Sequence, residues 1–318
     1  MPSEKNILPF QQINRNDTPF AGGKGANLGD MVQAGLPVPP GYVICSAIFR
    51  RIMQESGVAV QVNAMLKDLD NSNIQQVQGI EAPIRALVES IQVPEDVTAA
   101  ILEAYHTLGT DALVAVRSSS TAEDLSCASF AGQQETFLNI RGDDALLNAV
   151  RRCWSSLFTS QAIYYRCHNG FDHALVSMAV VVQKMVNSEK SGVIFTVDPV
   201  TRNPYAMILE GVWGLGEGIV SGSITPDHYK VDRDDMSILF NFVAPQTRMY
   251  VKGSTGGVEV VEVPPDQAHR PVLSEDEICK LVTLGNLVEK HFGSPQDIEW
   301  GFEAGELYLL QSRPITSL

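Results

Sequence analysis

Near the C-terminus, Asp297 and Glu299 lie two residues apart, and so do Gln311 and Arg313 on the segment that follows. Gln296 to Phe302 and Leu307 to Pro314 read as two strands joined by a turn at Glu303-Ala304-Gly305-Glu306. Side chains alternate faces along a strand. Asp297 and Glu299 therefore share one face of the first strand, opposite Ile298 and Trp300, and Gln311 and Arg313 share a face of the second. A carboxylate, an amide oxygen and a guanidinium can then converge across one hairpin. Mg²⁺ takes oxygen ligands, commonly one or two protein groups completed by substrate phosphates, and arginine offers phosphate a planar fork. A solvated hairpin with a surface salt bridge is the competing reading of the same residues.

Four further segments could supply phosphate or base contacts. Gly22-Gly23-Lys24-Gly25-Ala26-Asn27-Leu28 is a glycine turn before a helix, where backbone amides favour an anion and Lys24 adds a point charge; GxxxxGK[ST] does not fit it, and a plain turn with a helix cap explains it as well. Val114-Ala115-Val116-Arg117 is an apolar strand ending in an arginine and three serines, Ser118 to Ser120. That arrangement suits phosphate, or equally a buried ion pair of Arg117 with Glu123, Asp124 or Glu135. The small residues of Ala128 to Phe137 suit a flap over a triphosphate, with backbone amides and the Thr136 hydroxyl as donors. Val180 to Val186, containing Gln183, could edge an adenine ring or be a core strand. A fifth segment, Gly211 to Gly222, fails as a dinucleotide fingerprint because Ile219 stands where GxGxxG needs glycine; Glu217 there is a structural or metal-adjacent candidate. His168 and His173 are five apart and His106, His228, His269 and His291 are isolated, so the histidines read as structural or exposed. No GxSxG elbow occurs.

These segments are set in a chain of 318 residues, 44% hydrophobic and 19% charged, which fits one large domain or two lobes with a sizeable core. The formal net charge of −14 argues against nucleic acid or an anionic membrane as partner. Five scattered cysteines without a CxxC pair fit reduced thiols in the cytoplasm. The first residues do not resemble a signal peptide, and the longest apolar stretch, near Ala174 to Val182, is too short to span a bilayer.

The elements that must position the candidates follow from periodicity. Residues 23–35 predict a helix ending at Gly35, Tyr42 to Ile44 a strand, and Ser46 to Glu55 a helix. Residues 60–109 are mostly helical, with Pro83 and Pro94 near helix starts. Ala112 to Arg117 predicts a buried strand running into a polar loop from Ser118 to Asp124. Residues 144–168 carry an amphipathic pattern. Strands follow over Leu175 to Met185 and Gly192 to Val197, then short strands and glycine turns over 206–263. Ser274 and Glu277 form a capping box for a helix toward His291. Helix-rich material precedes strand-rich material, which predicts an α+β protein with an N-terminal lobe over 1–187 and a C-terminal lobe over 188–318.

Taken together, the chain resembles the N-terminal ATP-binding region of phosphoenolpyruvate synthase, pyruvate phosphate dikinase and rifampin phosphotransferase. The marks are GGKGANLGDMVQAGLPVPPGYVI, VAVRSSSTAEDLSCASFAGQQETF, YYRCHNGFDHALVSMAVVVQKMV, SGVIFTVDPVT, GLGEGIVSGSITPDHYKV and DIEWGFEAGELYLLQSRPIT, six blocks in one order over nearly the whole chain. The resemblance implies an ATP-grasp fold with ATP and Mg²⁺ between two lobes. It implies Lys24 and Arg117 as a phosphate-binding pair, Gly132 and Thr136 in a flap, and Gln183 on the adenine side. Glu299 and Gln311 are implied as metal ligands and Arg313 as a further phosphate contact.

The same resemblance implies transfer of the β-phosphoryl group of ATP to a histidine on a swivelling domain, with AMP and inorganic phosphate as eventual products and a small-molecule acceptor bound elsewhere. No TSHA-like segment with such a histidine occurs here. The chain is therefore expected to be an excised domain or a subunit acting on a histidine in trans, an arrangement with a precedent in phenylphosphate synthase. A module that senses ATP without turnover, and a self-contained ATP-grasp ligase, are the alternatives.

Overall fold

The computed structural model describes residues 6–67, 69, 73–121, 135–173, 176–254 and 256–316. It mixes helix and sheet in two compact units, one of residues 1–30 and 40–185, the other of residues 31–39 and 186–318. The segment 31–39, expected with the N-terminal lobe, belongs to the second unit, where the Leu309 amide donates to the Pro37 carbonyl at 2.8 Å.

The first unit is built on an antiparallel sheet of β1 (Ile7–Pro9), β2 (Gly41–Ile44), β3 (Val114–Ser120), β4 (Thr136–Ile140) and β5 (Met178–Lys184), in the order β1-β2-β5-β3-β4. Its helices are α1 (Thr18–Gln33), α2 (Ser46–Glu55), α3 (Val58–Lys67), α4 (Ile74–Glu89), α5 (Glu95–His106), α6 (Asp143–Ser155) and α7 (Ser160–His168). Alternation sorts the sheet into two faces. Tyr42, Ile44, Val114, Val116, Met178, Val180 and Val182 point into one apolar core with helical residues such as Ile52, Ile84, Ile101 and Trp154. The opposite face is left to Val43, Ala115, Arg117, Ser119, Val181 and Gln183.

Two expectations are corrected here. Ser118 to Ser120 are not loop: β5 pairs with β3 through Ser120, and all three serines are buried. Pro83 does not open a helix but sits inside α4. The carbonyl that loses its helical donor there is that of Gly79.

The second unit holds a six-stranded antiparallel sheet of β6 (Lys190–Phe195), β7 (Ala206–Trp213), β8 (Asp227–Asp232), β9 (Ile238–Phe242), β12 (Gln296–Glu303) and β13 (Glu306–Pro314). The strand order is β13-β12-β6-β7-β8-β9. A separate hairpin pairs β10 (Arg248–Lys252) with β11 (Val258–Glu262), and α8 (Glu217–Val220) is a single turn. The long helix α9 (Glu275–Phe292) starts at the Ser274–Glu277 capping box and ends at Gly293 in the left-handed region. It packs on the sheet through Gly285, whose missing side chain admits Met207 and Ile194. Trp300, fully buried, lies against Gly192, its direct cross-strand partner, and near Gly211.

Asp227 fastens β8 to the chain around it. It is fully buried and accepts from the Ala244 amide at 3.0 Å, Gln246 Nε2 at 3.1 Å, the Val272 amide at 2.8 Å and the Tyr229 hydroxyl at 2.9 Å. Burial, reinforced by Asp227, pushes the Tyr229 phenol up, so it stays a donor. Asp227→Asn presents an NH₂ to one pair of these donors and should lower unfolding stability by about 2 kcal/mol. Urea unfolding of the two proteins measures this directly, and an unchanged midpoint would show the network to be dispensable. Among the described residues no helix is long and apolar enough to cross a membrane, and Cys45, Cys153, Cys167 and Cys279 are free thiols.

Candidate nucleotide site

In the first unit the candidate groups gather at the end of β3. Gly22 interrupts α1 with φ 68° and ψ 168°, and the helix restarts at the glycine turn. The turn is latched to β3 by Ser119, whose hydroxyl donates to the Ala21 carbonyl at 3.0 Å and accepts from the Gly25 amide at 3.2 Å. Lys24 Nζ then reaches the Ser118 carbonyl at 3.2 Å. Arg117 stands beside that carbonyl, 7% exposed, directly opposite exposed Thr136 of β4. Gln183 of β5 pairs with Ala115 on the same face and is 3% exposed. Among the described residues its buried Nε2 has no hydrogen-bond partner, so a buried donor there calls for an acceptor. The structure thus brings Lys24, Arg117 and Thr136 to one end of the sheet. Gly132, with Glu123 and Asp124, lies outside the described residues. Glu135, a rival ion-pair partner for Arg117, gives its carboxylate to Arg85 of α4 instead, at 2.7 and 3.0 Å.

In the second unit the register of the closing hairpin sets Glu299 opposite Gln311 and Asp297 opposite Arg313. A two-residue turn joins the strands, with Ala304 and Gly305 both at positive φ (51° and 80°), the geometry that matches hairpin twist. An irregularity in pairing between Glu299 and Trp300 follows the site, absent from any periodicity argument. Read across the sheet, Gln311, Glu299, Val193, Glu210 and His228 form one row on one face. The face opposite carries Ile298 and Trp300, both fully buried.

Asp297 accepts from Arg313 Nε at 2.8 Å and Nη2 at 2.7 Å, a contact that orients the half-exposed guanidinium. Burial pushes the Asp297 carboxyl up, Arg313 pulls it down, and the carboxylates of Glu299 and Glu210 push it up again. Alternation with Glu299 was the signal that pointed to Asp297. Nothing in the sequence pointed to Glu210, which meets His228 Nδ1 at 3.3 Å. Glu217 opens α8.

The donor set suits a hard cation. Glu299 and Gln311 offer oxygen from directly opposed positions, and no cluster of three or more His, Cys, Asp or Glu among the described residues would close a coordination sphere on its own. An ion completed by phosphate oxygens fits such a pair.

The family pattern described as pyruvate phosphate dikinase, AMP/ATP-binding domain, matches residues 18–318. The chain belongs to that family. It is 47% identical over 321 residues to a probable phosphoenolpyruvate synthase of Methanocaldococcus jannaschii, covering 99% of this chain and 27% of the relative. A probable phosphoenolpyruvate synthase of Methanothermobacter thermautotrophicus is also 47% identical, over 99% of this chain and 46% of the relative. Rifampicin phosphotransferase of Bacillus cereus is 38% identical over 98% of this chain and 36% of its own. The chain thus spans less than half the length of these curated relatives. The candidate groups at the end of β3 and on β12–β13 both fall within the matched AMP/ATP-binding domain.

Proposed function

We propose that this chain is the ATP-binding component of a dikinase-type phosphotransferase with an ATP-grasp fold and that it binds Mg²⁺–ATP. The observation that carries the reading is the register that opposes Glu299 to Gln311 and Asp297 to Arg313 in a member of an AMP/ATP-binding family. Lys24, Arg117 and Arg313 neutralise triphosphate charge, Thr136 and Gly132 donate to phosphate oxygens, and Gln183 lies on the adenine side. Glu299 and Gln311 hold the Mg²⁺. The metal supplies charge neutralisation at the phosphates. Phosphoryl transfer needs positioning and electrostatic stabilisation more than a general base, and no base is assigned.

The nucleophile is a histidine nitrogen on a swivelling domain or partner subunit. It bonds to the β-phosphorus as the bond from that phosphorus to the AMP oxygen breaks, so AMP leaves and the γ-phosphoryl is carried along; water then cleaves the β–γ bond, leaving the β-phosphoryl on the histidine and releasing inorganic phosphate. The acceptor is a small molecule, as the names of the relatives exemplify. Free thiols at the four described cysteines agree with a reducing cytoplasm. A module that only senses ATP finds no support in relatives named as a synthase and a transferase.

Calorimetric titration with Mg²⁺–ATP should show saturable binding. ATP labelled at the β-phosphorus, mixed with a histidine-bearing domain taken from one of the longer relatives, should label that domain and release AMP. Binding without transfer to any such domain would sink the transferase reading.

A further inference from the structure

Arg85 lies on α4 and is not among the residues assigned to ATP, yet it is wired to the phosphate end of the first unit. Its guanidinium forks onto Glu135, Nη1 to Oε1 at 2.7 Å and Nη2 to Oε2 at 3.0 Å. Glu81 and Glu89, one helical turn to either side, also approach it at 3.4 and 3.8 Å. Those two carboxylates have other donors: the Ser160 amide bonds Glu81 at 2.8 Å and the Ser155 hydroxyl bonds Glu89 at 2.6 Å. The Glu135 carboxylate has Arg85 alone among the described residues. The Glu135 carbonyl in turn accepts from the Ser118 amide and the Ser118 hydroxyl, both at 3.1 Å. Ser118 neighbours Arg117 and offers its own carbonyl to Lys24, and Glu135 neighbours Thr136.

We propose that Arg85 is a positioning residue: through its fork to Glu135 it fixes the Glu135–Ser118 junction from which Lys24, Arg117 and Thr136 are presented to the phosphates of ATP. The inference rests on the phosphate-end reading above. A bidentate guanidinium–carboxylate pair fixes direction as well as distance. On one side it holds the backbone that precedes Thr136, and on the other, through two hydrogen bonds to one carbonyl, the strand end that carries Arg117. A lysine at 85 would restore charge without the fork.

The test compares wild type, Arg85→Met, Arg85→Lys, the charge-exchanged Arg85→Glu/Glu135→Arg pair and Arg117→Met. Each is titrated with Mg²⁺–ATP and, separately, with adenosine. Arg85→Met should weaken ATP binding about tenfold, the effect of losing one charge-assisted fork, and leave adenosine binding unchanged. Arg85→Lys should fall between it and wild type, and the exchanged pair should recover most of the ATP affinity.

The inference is overturned if Arg85→Met binds ATP as wild type does. It is equally overturned if ATP and adenosine weaken together with the melting temperature, as a merely structural ion pair would require, or if the exchange rescues nothing. Should Arg85→Met fail to fold, Glu135→Gln must show the same ATP-specific loss, and its absence counts against the proposal. Arg117→Met separates the two levels. If it leaves ATP affinity intact, the phosphate-end reading falls. If it alone loses affinity while Arg85→Met does not, only the role of Arg85 falls.

Discussion

Glu299→Gln should lower phosphoryl transfer to a histidine domain by about a thousandfold, the upper range for removing one preorganised charge-stabilising group, while leaving the fold intact. The two side chains are nearly isosteric. Glu299 sits between β13 and β6 with its backbone ladder satisfied on both sides, and its side chain is only partly buried. What changes is charge. In the proposed site the amide oxygen could still face a cation, but its pair with Gln311 would be neutral and the attraction for Mg²⁺ would collapse.

Stability should move the other way. The Asp297 carboxyl is pushed up by burial and, to a lesser extent, by the neighbouring charge of Glu299. Its proton is held more tightly folded than unfolded, so its contribution to stability declines as pH rises from the unfolded value toward the folded one. Removing the charge of Glu299 relieves part of that decline, and Glu299→Gln should be as stable as wild type at neutral pH or slightly more so. AMP release at saturating Mg²⁺ and a urea titration at two pH values check both halves. Full activity would remove Glu299 from the metal. Loss of folding would return the hairpin to a structural ion-pair role.

What could be read from the sequence depended on how far apart the partners lie in the chain. The closing hairpin was legible because its two strands are adjacent, alternate in face and are joined by a turn containing Gly305, which tolerates positive φ. The capping box at Ser274 was legible for the same reason, since both partners lie within one turn of helix. Ser118 to Ser120 were not. A polar triplet after an apolar run has the composition of a loop, and only β5, some sixty residues on, keeps it in the sheet. The purpose of Ser119 was hidden equally well, because its hydroxyl bonds Ala21 and Gly25 across |i−j| of 98 and 94. Arg85 showed the i,i+4 carboxylates of a solvated helix face, and its decisive partner lies 50 positions away. Residues 31–39 fall with the second unit, where the Leu309 amide bonds the Pro37 carbonyl, a contact that no local pattern encodes.

Gly22→Ala should damage both the fold and the phosphate end of the first unit, because it combines a backbone cost with a clash. At φ 68° and ψ 168°, Gly22 occupies a region that is essentially closed to residues with a Cβ, at a cost of about 1–3 kcal/mol. The Cβ would also stand 2.2 Å from the Ser119 hydroxyl oxygen and 2.4 Å from the Ser119 carbonyl oxygen. The hydroxyl could rotate away, but the carbonyl belongs to a strand paired with β5 and cannot follow. Relief therefore requires the glycine turn to lift off β3, adding about 1–3 kcal/mol of overpacking. The lift breaks the Ser119 bonds to Ala21 and Gly25 and carries Lys24 away from Ser118.

Both the melting temperature and ATP affinity should therefore fall together in Gly22→Ala. Gly35→Ala is the control: Gly35 also has positive φ, at 74°, but nothing lies within 4 Å of its Cβ position, so only the backbone cost of about 1 kcal/mol applies there. Ser119→Gly should not rescue Gly22→Ala, because the clash with the carbonyl survives removal of the hydroxyl. A rescue, or equal losses in Gly22→Ala and Gly35→Ala, would show that the turn does not rest on the end of β3.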